Sequence, residues 1–306
     1  MLPLLLVLAL LGSVLLPPPI LGGPSLRIVK WEPMSGPPAP AYIHLEVELP
    51  CDLKEPQEEI TVNGQAAAFR HLGFSSGSGH CGRDYAVYVG PPGKKMVRLD
   101  INTGSRVLSA AATLVFESRG AIVLLDRVPG EAVLEPGEWR FWGYFVRDLK
   151  VRVNDMEVPY QLRPSPVSEH HALITCQPNL RPGPNLITIV GKGLGGEAVK
   201  LECPTYYIKD QKVRLHDEIL LPYGYMGSKS GPFFRLDVEG KALQPGESQD
   251  LDQAGLKDDA WYYQKRMFLK RLKAVNTGEA VLKFYEKAWF TNPFQLRKTL
   301  TLKVVS

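Results

Sequence analysis

The chain has 306 residues, of which 44% are hydrophobic, 22% charged and 9% aromatic; this is enough apolar material for proper cores and excludes the disordered, collagen-like and disulfide-scaffold classes. The formal charge of +4 belongs to the C-terminal third, where residues 209–306 hold 17 Lys and Arg against 12 Asp and Glu, while 1–118 and 119–208 are close to neutral. The 28 Gly and 26 Pro break the chain into many short elements without making it low-complexity.

Residues 1–23, MLPLLLVLALLGSVLLPPPILGG, carry no charged side chain, and the apolar run from Leu2 to Leu16, closed by Pro17, Pro18 and Pro19, has signal-peptide length. That run is short for a membrane span, which needs about 20 residues. Export is expected, to the periplasm, the extracellular space or the cell surface, with an uncleaved N-terminal anchor as the alternative. An exported chain meets an oxidising compartment, so the four cysteines are expected as two disulfides, Cys51 with Cys81 and Cys176 with Cys203, each closing a modest loop inside one domain. No C-x-x-C pair occurs, and His80 beside Cys81 has no second ligand pair at zinc spacing. No metal and no cofactor are expected.

An internal repeat organises the first two thirds. ITVNGQAAAF (60–69) is echoed by VRVNDMEVPY (151–160), and AVYVGPPGKKMVRLDI (86–101) by LITCQPNLRPGPNLITIV (173–190). Asn63-Gly64 and Asn154-Asp155 sit between extended runs, where a tight hairpin turn needs positive φ. LRIVKWEP (26–33) and GAIVLLDRVPGE (120–131) open the two copies. Short strands and frequent turns in units near 90 residues argue for antiparallel sandwiches of immunoglobulin type, at 25–118 and 119–208. Their pattern resembles bacterial immunoglobulin-like modules such as the accessory domain of glucodextranase, with its V-x-V-N-G hairpin and PG-N turn. That resemblance implies a fold and transfers no active site. Trp31, Trp139 and Trp142 are expected in the core or on a sheet face.

In the last third, KVRLHDEILL, FFRLDVEG, GEAVLKFYEKAWF and LRKTLTLKVVS are extended runs, so a third sandwich is expected over 209–306. WYYQKRMFLKRLKAV (261–275) places Trp261, Phe268, Leu272 and Val275 near helical spacing among basic residues, the pattern of an amphipathic helix. Its aromatics, and the turn Asn276-Thr277-Gly278 that follows, favour a strand instead.

FLKRLKAVNTGEAVLKFYEKAWF (268–290), followed by KTLTLKV, resembles the closing strands of the chagasin family, immunoglobulin-fold inhibitors of papain-like cysteine peptidases. Gly278 stands at the family's turn, and Lys287-Ala288-Trp289 takes the place of its Arg-Pro-aromatic loop. Pro222-Tyr223-Gly224-Tyr225-Met226 falls at its first loop and keeps only the Gly-Tyr core. Tyr262, Tyr263 and Lys265-Arg266 stand where a glycine-rich loop would lie. The resemblance implies inhibition by occlusion, with loop tips entering the peptidase cleft and Tyr223, Tyr225 and Trp289 as aromatic anchors. Gly224, Met226, Lys265, Arg266 and Lys287 complete the expected contact set.

Catalytic patterns are declined on context. GFSSG (73–77) matches a nucleophile elbow at Ser75, but lies in a β repeat without the parallel strand and helix that an elbow needs. GKGLGG (191–196) matches G-x-G-x-x-G without a βαβ unit, and is expected as a hairpin tip. His170-His171 is expected in a solvated loop. The sequence therefore reads as an all-β, exported, non-catalytic binding protein of three tandem immunoglobulin-like sandwiches. Its expected partner is a protein, in the narrower reading a papain-like cysteine peptidase; the alternative is a cell-envelope or adhesion stalk, with a cell-envelope glycan as ligand. No nucleic-acid partner is expected.

Overall fold

The computed structural model describes residues 26–33, 42–50, 57–77, 80–117, 119–166, 168–226, 232–257, 261–289 and 291–306. The first sandwich comprises β1 (Arg27–Pro33), β2 (Tyr42–Leu49), β3 (Gln57–Val62), β4 (Gln65–Ala66), β5 (Phe69–Gly77), β6 (His80–Tyr88), β7 (Gly93–Asn102) and β8 (Val107–Phe116). One sheet runs β1-β2-β6-β5 and the other β4-β3-β7-β8. Lettered in chain order this is A-B-E-D over C′-C-F-G, the immunoglobulin strand order. Alternation along the strands supplies the core: Ile43, Leu45 and Val47 of β2 and Val97, Leu99 and Ile101 of β7 are all 0% exposed.

The second sandwich repeats the order with β9 (Ala121–Leu125), β10 (Ala132–Val133), β11 (Trp139–Tyr144), β12 (Val146–Val153), β13 (Met156–Val158), β14 (Tyr160–Ser165), β15 (Ser168–Cys176), β16 (Gly183–Gly193) and β17 (Ala198–Tyr207). Its strands β14-β15-β11-β9 face β10-β17-β16-β12-β13, with β10 parallel to β17. The third is built from β18 (Lys212–Arg214), β19 (Glu218–Met226), β20 (Phe233–Glu239), β21 (Leu243–Lys257), β22 (Trp261–Ala274), β23 (Gly278–Lys287) and β24 (Gln295–Val305). Here β21-β22-β19 face β18-β24-β23-β20. The Trp261–Ala274 stretch is thus a strand, as its aromatics favoured.

The sequence echo has a physical basis. Asn63 and Asn154 both adopt positive φ at their hairpin tips. Each clips its turn to the neighbouring long strand. The Asn63 amide donates to the Met96 carbonyl while its Oδ1 accepts from Met96 N, and Asn154 makes the same pair of bonds with Leu186.

Two joints tie the sandwiches together. Sheet β14-β15-β11-β9 continues into β21-β22-β19 through the parallel pairing of Leu125 with Ala254, so one seven-stranded sheet crosses from the second sandwich to the third. Between the first and second, Tyr42 packs with Leu125, Trp142, Tyr144, Phe145 and Leu173 in a separate buried cluster that Ala254 also joins.

Cys176 and Cys203 do not form the expected bridge: both are free, buried thiols in the core of the second sandwich. Burial pushes them up to about 11 and about 12, and they act as small apolar core residues. Parity and compartment assigned them to a bridge, whereas packing alone accounts for their burial. Cys81 is buried and disulfide-bonded, while Cys51, its expected partner, and the leader lie outside the described residues. His171 is not in a solvated loop: it lies on β15 and is 1% exposed.

Candidate binding surface

The expected contact residues gather at one end of the third sandwich. Tyr223, Gly224, Tyr225 and Met226 finish β19, and antiparallel register sets Tyr225 against Met267 and Met226 against Arg266 of β22. Lys287 finishes β23, paired with Phe233 at the start of β20. Trp289 follows two residues later and is 59% exposed, and Tyr225 is 54% exposed. No ring contact joins these two among the described residues.

Alternation divides the end into an inner mouth and an outer ladder. On β20, Leu236 and Val238 pack on the core, so Phe234 points between the sheets while Phe233 and Arg235 point outward. Inside, the Tyr225 and Phe234 rings stack at 6.5 Å, Phe234 lies 6.0 Å from Phe268, and Phe268 lies 6.1 Å from Tyr223. Lys265 Nζ sits 4.8 Å from the centre of the Tyr225 ring. Outside, Lys287 Nζ stands 5.4 Å from Phe233 and 4.8 Å from Phe294, while the Arg235 guanidinium covers Tyr285 at 4.4 Å and Phe294 at 5.0 Å. Alternating cations and rings hold one another in place and present π faces and positive charge together. Arg266 instead pairs with Asp250 at 3.4 Å.

Gly224 makes the inner mouth possible. A Cβ at that position would fall within the Phe234 ring. Gly224→Ala is therefore expected to displace Phe234 and to cost about 1–3 kcal/mol, the usual scale of overpacking, with urea denaturation as the measurement. An unchanged midpoint would show that the mouth is looser than this packing implies.

Sequence reading found Tyr223, Tyr225, Lys265, Lys287 and Trp289 but missed Phe233, Phe234, Arg235, Phe268, Tyr285 and Phe294, which connect them. The signal was present in FFRLD, whose two adjacent phenylalanines must face opposite sides of a strand.

The two glycine-containing motifs lie on antiparallel strands and at a hairpin tip. Ser75 lies on β5, which pairs antiparallel with β6 rather than standing in a parallel sheet. GKGLGG runs from the end of β16 into the tip before β17, closed by hydrogen bonds from Gly193 N to Glu197 O and from Gly196 N to Gly193 O. Among the described residues, no group of three His, Cys, Asp or Glu is placed to hold a metal ion, and no helix is long and apolar enough to cross a membrane.

No protein-family profile matches the chain, and no curated protein matches it. Among solved structures, the I9–I11 tandem of titin is similar over 87% of this chain and 92% of that chain, at 11% identity and a TM-score of 0.20. Latent PorU from Porphyromonas gingivalis is similar over 92% of this chain and 34% of that one, at 8% identity and a TM-score of 0.35. The fibronectin(III)-like modules of Clostridium thermocellum CbhA cover 56% of this chain and 87% of that one, at 6% identity and a TM-score of 0.21. Likenesses this distant add nothing to the strand order, which by itself defines an all-β chain of tandem immunoglobulin-like sandwiches.

Proposed function

We propose that the chain is an exported, non-catalytic binding protein whose contact surface is the aromatic and cationic end of its third sandwich. The observation that carries this reading is the convergence of Tyr223, Tyr225, Phe234, Lys265 and Lys287 at one end, beside the exposed Trp289. Such groups bury large area for little conformational cost when a partner covers them. The narrower reading follows the chagasin resemblance: the end occludes the cleft of a papain-like cysteine peptidase, Tyr225 and Trp289 filling it without being cleaved. Titrating a papain-like peptidase with the purified chain is expected to give saturable inhibition that Trp289→Ala or Tyr225→Ala weakens at least about tenfold, the loss of one hot-spot residue. Unchanged peptidase activity at micromolar protein rejects the narrower reading.

The two joints favour a second reading, in which the sandwiches form a stalk that holds the same end away from an attachment point. The shared sheet ties the second sandwich to the third, and the aromatic cluster ties the first to the second. Binding to cell-wall polysaccharide, lost on substitution of the exposed aromatics, would support it over peptidase inhibition.

A further inference from the structure

Edge strands expose unpaired backbone groups that can recruit another strand, and proteins protect them with short length, charge, proline or a bulge. Among the described residues, nine of the ten sheet edges are protected in one of these ways. Strands β4, β10, β13 and β18 are two or three residues long. Strands β1, β5, β14 and β19 each carry a bulge, and three of them also a proline. Strand β20 carries Arg235, Asp237 and Glu239.

The exception is β8. Over ten residues, VLSAAATLVF, it has no charge, proline or glycine, and its register with β7 is unbroken. No described strand pairs with its other edge. Val107 and Val115 stand 59% and 62% exposed on its outer face. Its sequence is also palindromic in chemical character: Val107-Leu108-Ser109-Ala110, then Ala111, then Ala112-Thr113-Leu114-Val115.

We propose that β8 pairs antiparallel with β8 of a second copy of this chain, about a two-fold axis through Ala111. In that register Val107 faces Val115, Leu108 faces Leu114, Ser109 faces Thr113 and Ala110 faces Ala112, so every pair joins like with like. Two-fold interfaces require such self-complementarity. Faces match too, because residues opposite each other in an antiparallel pair project to the same side: outer side chains meet outer ones, and the half-buried Leu108, Ala110 and Ala112 gain cover on the core side. A neutral strand meets no like charge in its copy. Beside the axis, Arg98 and Asp100 of β7, opposite Ala111 and Ser109, pair with each other at 2.9 Å, and the flanking Arg106 and Glu117 lie beyond the two ends of the strand. The two four-stranded sheets would become one of eight strands.

Cysteine placement in the full chain tests the register. Ala111→Cys is expected to give a disulfide-linked dimer under mild oxidation, because residue 111 meets itself on the axis. Ser109→Cys is expected to stay unlinked, since its two copies would lie about 13 Å apart along the strands, beyond the reach of a disulfide. Ala111→Lys, which sets two ammonium groups face to face, is expected to raise the dimer Kd at least about tenfold in sedimentation experiments. A wild-type monomer at high micromolar concentration, equal cross-linking at 109 and 111, or a dimer that survives Ala111→Lys would each overturn the proposal.

Discussion

Acidification from pH 7 to pH 4 is expected to remove about 3 kcal/mol of stability through one side chain, His171, and His171→Leu to remove most of that sensitivity. The His171 ring is 1% exposed and lies among Tyr144 at 4.7 Å, Tyr88 at 5.2 Å, Phe145 at 5.4 Å and Trp142 at 6.1 Å. Among the described residues, neither ring nitrogen has a hydrogen-bond partner. Burial, and secondarily the neighbouring His170, push its pKa down from 6.5 to about 3. The unfolded chain therefore binds a proton near pH 6.5 that the folded chain refuses until near pH 3. The stability contributed by the neutral ring is fully present above pH 6.5 and is lost as pH falls from there toward 3.

A second buried group acts in the opposite sense. Burial raises the Glu131 carboxyl despite its bond from Arg127, so its contribution grows as pH falls and opposes that of His171. Comparing wild type with His171→Leu by urea midpoints at pH 7, 5.5 and 4 isolates the histidine: the variant is expected to lie within about 1.5 kcal/mol of wild type at pH 7 and to be the more stable protein at pH 4. Parallel stability curves would remove His171 as the cause.

The fold was largely legible because it is written in local rules. The Asn63-Gly64 and Asn154-Asp155 turns demanded positive φ, and alternation in strands such as β7 separated core from solvent. The site was legible in part, since Tyr225 and Trp289 could be picked out, but the inter-sheet stacking of Phe234 depends on which strands face each other. What sequence could not show was a strand buried on both faces. In WRFWGY (139–144), Trp139 and Phe141 enter the sandwich core while Trp142 and Tyr144 enter the joint with the first sandwich. A continuous apolar run does not say what covers its second side. The same ambiguity hid His171, whose cage is assembled from β6, β11 and β15 and the residue after β11.

That second face gives the last large effect expected. Trp142 is 2% exposed, flanked on its sheet by Val123 and Leu173, and belongs to the joint rather than to the core that holds Trp139. Trp142→Ala and Trp139→Ala should each cost about 3–5 kcal/mol, the usual scale for removing a buried tryptophan, yet they should fail differently. Losing Trp139 empties the core beneath the cation–π contact of Arg127 and should unfold the second sandwich. Losing Trp142 leaves that core intact and opens the seam against Tyr42 and Tyr88. For Trp142→Ala, the first sandwich should therefore melt as a separate transition, hydrogen exchange in β2 and β6 should rise, and X-ray scattering should report a larger radius of gyration. A single coupled transition with unchanged exchange in the first sandwich would mean that the aromatic seam does not couple the two units, and the stalk reading would lose its physical basis.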